Sequence, residues 1–342
     1  MKKSRKRRFH WGLLALMALF LAAVMGYLLL LAGAFNKEVS VYVTPKTTYE
    51  DVVKQVKPYM RTGIHRKCFD LCASVAGLNS KLNVGHYRFS KGTGVAKVVR
   101  RMVLGMQSPV RLVVRGARTL PQLAGRLSKQ IAADSVTMLK TLRNAELCKE
   151  LGFVNDSIIA MFIPNTYEVY WDTTPEKLMQ RMKREYDAFW NEARIEKLQR
   201  CKLTKYQVMT LAAIVYEESK KRDEMPTIAG VYINRLRINM KLQADPTVKY
   251  AIGDFALRRI LHSHLKCDSP FNTYIYKGLP PAPICIPSIA AIDAVLDYKE
   301  HDYLYFCARA ELDGRHNFAR TYEEHSENAR KYSEALNELK IK

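Results

Sequence analysis

Glu218 is the carboxylate in this chain best placed to hold a proton. It closes the run Leu211-Ala212-Ala213-Ile214-Val215-Tyr216-Glu217-Glu218. Leu211, Ile214 and Val215 precede it by seven, four and three residues, which is same-face spacing on an α-helix. A carboxyl group set against an apolar face keeps its proton to higher pH than one in water, and a general acid needs that. The neighbouring Glu217 points about 100° away, toward solvent. The other reading of the pattern is a half-buried Glu218 paired with Lys220, Lys221 or Arg222. Further along, from Gln243 to Pro287, polar and proline signals crowd together, and long loops in a compact domain are usually functional. That stretch holds Gln243, Asp245, Asn272, Thr273 and Tyr274. Amide and phenol groups of this kind suit the hydroxyl and acetamido groups of sugars. Turn chemistry at Asp245-Pro246 and Pro280-Pro281 is the alternative.

Other chemistries find little support. No Gly-x-Ser-x-Gly elbow occurs, and Ser219 has no histidine at a fixed offset. Gly85, Gly92 and Gly94 match no phosphate-binding loop. The stretch His262 to Cys267 lacks a paired Cys-x-x-Cys or a His-Glu-x-x-His arrangement, so neither a metal nor a cofactor is expected. His316 and His325 could serve a site or act as structural hydrogen-bonders.

The elements that must position Glu218 follow from periodicity. Thr204 caps its helix, Glu224-Met225-Pro226 ends or kinks it, and Thr227 to Ile238 continues as another. Helical spacing also covers Thr48–Tyr59, Lys67–Leu78, Val95–Leu104, Thr119–Ile131, Asp134–Arg143, Ser288–Leu296 and Tyr322–Ile341, and a long charged helix opens at Thr174-Pro175. Strands are expected at Val39–Val43, His86–Phe89, Val110–Val114, after Pro164-Asn165, and at Tyr303–Phe306.

The N-terminus is of another kind. Lys2, Lys3, Arg5, Lys6, Arg7 and Arg8 precede a segment, Trp11 to Phe35, without a charged residue. Such a run is long enough for a bilayer core of about 30 Å; a cleaved signal peptide is the alternative. The basic cluster would keep residues 1–10 in the cytoplasm and place everything after Lys37 outside an inner (cytoplasmic) membrane. Net charge is +22, and +16 without the six N-terminal cations. That balance favours anionic partners, but no nucleic-acid-binding module is found. The seven cysteines show no disulfide framework. The fold class expected is α+β: a transmembrane helix over 11–35, a small α+β module over 37–107, and a larger mixed α/β domain over 108–342.

The motifs FIPNTYEVYW, AAIVYEES, AGVYINRL, LQADPTVKY, PFNTY with GLPPAPI, DYLYF and the Gly-x-His-x-Phe tail occur in register between Val110 and Tyr332. In these the chain resembles the endolytic murein transglycosylase (YceG-like) family, and the module over 37–107 is similar to a LysM-like domain. The family's acid lies in an Ile-Val-Glu-Lys-Glu-Thr-like helix. Aligned on Ile214-Val215, its first acidic position is Tyr216 here and its second is Glu218. The resemblance therefore assigns the acid to Glu218, with Gln243, Asp245, Asn272 and Tyr274 as candidate substrate contacts. Arg115-Gly116-Ala117-Arg118, Ala282 and Ser326 depart from the family pattern. The activity implied is non-hydrolytic cleavage of MurNAc-β-1,4-GlcNAc bonds in peptidoglycan glycan strands, beside cell-wall synthesis enzymes, with no cofactor. A muramidase using Glu218 and Asp245, or a binding scaffold, are the other classes compatible with these residues.

Overall fold

The computed structural model describes residues 11, 14, 16–27, 33–257 and 260–338. The chain divides into two compact units. The first takes residues up to Arg111 together with Glu168–Thr173, and the second takes Leu112–Tyr167 and everything from Thr174 onward.

In the first unit, β1 (Val39–Val43) pairs antiparallel with β2 (Gly85–Phe89), Val39 lying opposite Phe89. Strict alternation in β1 sends Val39, Val41 and Val43 inward. Helix α1 (Tyr49–Val56) starts in a capping box: Thr48 accepts from the Asp51 amide, and Asp51 accepts from the Thr48 amide. Helices α2 (Gly63–Val75) and α3 (Val95–Val103) pack together, and Phe69, Val98 and Met102 join Tyr87 and Phe89 in one core. Trp171 belongs here too, its ring edge-on to Tyr42 at 5.2 Å.

This core corrects the expected span. Ala34 and Phe35 are fully buried within it, with Phe35 stacked on Phe89 at 6.0 Å. Gly33 and Phe35 bridge to Gly94 and Met60, so the globular unit already includes Gly33 to Phe35, residues expected within the span. Among the described residues no helix is long and apolar enough to cross a membrane. The basic cluster, and residues 12, 13, 15 and 28–32 of the expected span, lie outside the described residues.

The second unit is mostly helical. After β3 (Val110–Val114) come α4 (Leu120–Ser128), α5 (Ser135–Leu142) and α6 (Ala145–Glu150). Strand β4 (Asn165–Val169), which pairs with β3, leads into α7 (Pro175–Phe189), with Thr174 capping and Pro175 in its first turn. Asn191 caps a further helix, α8 (Glu192–Cys201). Helix α9 (Lys205–Glu218) is the centre of the unit: every residue from Val208 to Val215 is buried. A helix enclosed on all sides needs apolar or small residues all round, and Thr210 meets that demand by donating to the Tyr206 carbonyl at 3.0 Å.

Helices α10 (Met225–Arg237) and α12 (Ile289–Leu296) pack on α9. The stretch expected to be loop contains a helix, α11 (Asp245–Ile252), opened by Asp245-Pro246. Asp-Pro reads as a turn, but proline equally suits the first turn of a helix, where its missing N–H is not needed. The hairpin β5 (Tyr305–Ala308) and β6 (His316–Ala319) closes under α13 (Tyr322–Glu338). All seven cysteines are free thiols. Cys148, Cys201 and Cys285 are buried and donate to main-chain carbonyls.

Candidate active site

Helix α9 delivers Glu218 to the wall of a cleft of about 650 Å³ within the second unit. The helix is fixed at its start by the reciprocal Thr204–Gln207 capping box and ends where Ser219 turns extended. Glu218 is therefore the last helical residue, carried to the cleft by a rod that is buried along most of its length.

Helix α10 meets it there. The Tyr232 hydroxyl donates to Glu218 Oε1 at 2.7 Å. Three residues on, the Arg235 guanidinium is buried and donates to the carbonyls of Leu304 and Leu242, both at 2.6 Å, while lying over the Tyr305 ring. The side of α10 away from Glu218 is bound to the segment 299–303. Lys299 N donates to the Pro226 carbonyl at 3.0 Å, His301 Nε2 donates to the Thr227 carbonyl at 2.9 Å, and Asn234 Nδ2 donates to the His301 carbonyl at 2.7 Å. Gly230 makes this close approach possible: a Cβ there would stand 2.4 Å from the Lys299 carbonyl oxygen.

Asp245, in the first turn of α11, lines the same cleft and accepts from the Tyr274 hydroxyl at 2.6 Å. Two phenol–carboxylate pairs thus share one cleft. Burial pushes the Glu218 carboxyl up to about 7; the negative charge of Asp245 adds to that, and the Tyr232 hydrogen bond opposes it. The opposing causes give a paired expectation. Asp245→Asn removes the repelling charge and should move the basic limb of any Glu218-dependent pH–rate profile to lower pH. Tyr232→Phe removes a donor to the carboxylate and should move it to higher pH. Shifts in the same direction for both variants would contradict this arrangement.

Of the residues expected at a site, Glu218, Gln243, Asp245 and Tyr274 come together in this cleft. Gln243 sits in a left-handed backbone conformation with its Oε1 3.5 Å from Arg235 Nη1. Asn272 does not join them. It is fully buried: its Nδ2 donates to the carbonyls of Leu265 and Cys267 at 2.9 and 2.8 Å, and its Oδ1 accepts from the Tyr274 amide. Its amide holds the loop that presents Tyr274, and those bonds leave it no part in the cleft wall. Thr273 is likewise buried, tying the loop to α11 through Ala244 N and Thr247 Oγ1.

Glu217 does not simply face water as expected. Its carboxylate accepts from Arg118 Nη2 at 2.7 Å, and its side chain is only 19% exposed. The adjacent acids are thereby given different surroundings, an ion pair for Glu217 and a phenol for Glu218. Among the described residues no group of three or more His, Cys, Asp or Glu side chains could hold a metal ion.

Tyr232, Arg235 and Tyr305 join the site without any mark in the composition. The first two lie three residues apart in AGVYINRL, hence on one helix face, and that spacing is the signal the sequence offers for them.

The profile of the YceG-like family matches residues 41–331. The chain belongs to the YceG-like family. An endolytic murein transglycosylase of Bacillus subtilis (strain 168) is 26% identical over 275 residues, 76% of this chain and 75% of the relative. A protein of the same name from Streptococcus pneumoniae serotype 2 (strain D39 / NCTC 7466) is 26% identical over 278 residues. The match takes in 72% of this chain and 50% of that one, so the chain spans about half the length of the pneumococcal relative. The crystal structure of a putative YceG-like protein from Listeria monocytogenes superposes with a TM-score of 0.58 at 25% identity, covering 85% of this chain and 98% of that one. The mixed α+β fold is thus that of a YceG-like protein, and its cleft-lining residues fall inside the matched YceG-like region.

Proposed function

We propose that this YceG-like protein is a membrane-anchored endolytic lytic transglycosylase of peptidoglycan, with Glu218 as its single acid and base. The observation that carries the reading is a carboxyl group whose surroundings hold its proton up to about 7, set in a polar cleft large enough for a sugar. The named activity of the Bacillus and pneumococcal relatives supports it.

In the mechanism, Glu218 gives its proton to the glycosidic oxygen as the C1–O bond of the MurNAc residue breaks. The GlcNAc oxygen leaves as a hydroxyl, and positive charge gathers on the MurNAc ring. The 6-hydroxyl of that ring then attacks its own C1, and its proton returns to Glu218. The product is a 1,6-anhydro end, no water is consumed, and the carboxyl ends as it began. Tyr232 favours the ionised form of Glu218 through its hydrogen bond and so assists the first transfer. One acid suffices because the nucleophile belongs to the substrate. A hydrolase needs a second carboxylate to activate water, and the Asp245 carboxylate is engaged by Tyr274.

The same reading places the chain at the inner membrane. The side chains Leu16, Met17, Leu19, Phe20, Leu21 and Met25 are all more than half exposed, as an apolar helix facing lipid would require. With the basic cluster cytoplasmic, everything after Lys37 lies on the outer side, near nascent glycan strands and the enzymes that make them. The first unit serves as the LysM-like module.

Purified peptidoglycan incubated with the protein, with fragments read by mass spectrometry, tests the reading. Anhydro ends, lighter by one water than reducing ends, are expected. Reducing ends would instead make the protein a muramidase, and intact glycan would leave a binding scaffold.

A further inference from the structure

A carboxylate–histidine pair reaches the same cleft through its ring, His316, and plays no part in the chemistry above. Glu224, which directly precedes α10, is buried, and both its oxygens go to one residue: Oε1 accepts from the His316 amide at 3.0 Å and Oε2 from His316 Nδ1 at 3.2 Å. Beside this, Arg315 donates to Asp223 at 2.6 Å, so two adjacent acids hold two adjacent residues at the start of β6. A carboxylate can only accept, so Nδ1 carries a hydrogen, and in the neutral imidazole Nε2 then holds a lone pair. The ring is held further by edge-on contact with Phe306 at 5.3 Å.

His316 lines the cleft, and among the described residues its Nε2 has no hydrogen-bond partner. Its place along the wall is set by aromatic contacts. Phe306 touches both His316, at 5.3 Å, and Tyr232, at 5.7 Å, and Tyr232 bonds Glu218. One aromatic ring thus links His316 to the Tyr232–Glu218 pair along the same wall.

We propose that His316 is a substrate-contact residue: its Nε2, aimed by Glu224, accepts a hydrogen bond from a hydroxyl or acetamido N–H of the sugar next to the cleaved bond. This rests on reading the cleft as a glycan site. The competing role is a staple that merely ties β6 to α10 through Glu224.

His316→Asn separates the two roles. Asparagine carries an N–H where Nδ1 stands and so keeps the bond to Glu224, but it has no group where Nε2 stands. In a Glu218→Gln chain, which should bind without turnover, purified glycan strands are titrated by calorimetry. Adding His316→Asn should weaken binding about tenfold with an unchanged thermal midpoint. In the active chain KM should rise by a similar factor while kcat stays within threefold. His316→Gln, which reaches the Nε2 position, should recover part of the loss. Unchanged affinity and KM in His316→Asn would overturn the contact and leave the staple. Failure of the Glu218→Gln chain itself to bind the strands would overturn the glycan reading, and this inference with it.

Discussion

Replacing Glu218 by Gln should reduce glycan cleavage by at least about a thousandfold, within the range by which general acid–base groups act, and leave glycan binding intact. The substitution keeps the side-chain length and still accepts the Tyr232 hydroxyl, now 2.7 Å from Oε1. It removes only the proton that the leaving oxygen needs. The pH dependence of the unaltered protein follows from the same group. An acid catalyst works while protonated, and burial raises this carboxyl to about 7. Activity should therefore be full well below pH 7 and fall about tenfold for each pH unit above it, as the protonated fraction declines. Initial rates between about pH 5 and 9 check this. A flat profile, or a Glu218→Gln chain that cleaves at a tenth of the normal rate, would remove Glu218 from the reaction.

Gly230→Ala should be the most damaging single-methyl change in the second unit. The new Cβ would lie 2.4 Å from the Lys299 carbonyl oxygen and 2.6 Å from His301 Nε2. Neither can swing aside: one is main chain, and the other is a ring fixed by bonds from Tyr303 N and to the Thr227 carbonyl. Helix α10 must move instead. Overpacking of this kind costs about 3 kcal/mol, and here the shift reaches Tyr232 two residues on. A displacement of about 1 Å at a catalytic group can cost about a hundredfold in rate. Urea denaturation and turnover measured together are the check. A variant within about 0.5 kcal/mol of the parent with unaltered kcat would show that α10 has room this packing denies.

Much of this site is legible in the amino-acid sequence, because the deciding information is local. Leu211, Ile214, Val215 and Glu218 share a helix face, and that pattern needs nothing beyond the helix itself. The same pattern understates α9, whose buried run from Val208 to Val215 includes Met209, Ala212 and Ala213 on its other faces. A stripe counted on one face does not reveal what packs on the rest. Asn272 shows the opposite difficulty. Its amide is chemically fit for a sugar and equally fit for the carbonyls of Leu265 and Cys267, and only the path of the loop chooses. Asp245 is visible as a residue but not as the opening of a helix, since Asp-Pro serves turns and helix starts alike. Glu224 and His316 lie 92 positions apart, and no local pattern joins them. In the first unit, Phe35 continues the apolar texture of the preceding segment, and only its stacking on Phe89 shows that it belongs to a core.

Cys285 offers a clock for the helix that carries Glu218. Its thiol is buried, donates to the Ala213 carbonyl at 3.7 Å, and is pushed far above the usual thiol range by that burial. It cannot react with an alkylating reagent while α9 stays packed, because the reactive thiolate neither forms nor meets solvent there. Each labelling event at Cys285 therefore records an opening of the structure around α9. The rate, set against that of an unfolded chain, converts to the free energy of that opening. A bound glycan that braces the cleft would slow the clock, so occupancy of the site could be timed without any turnover.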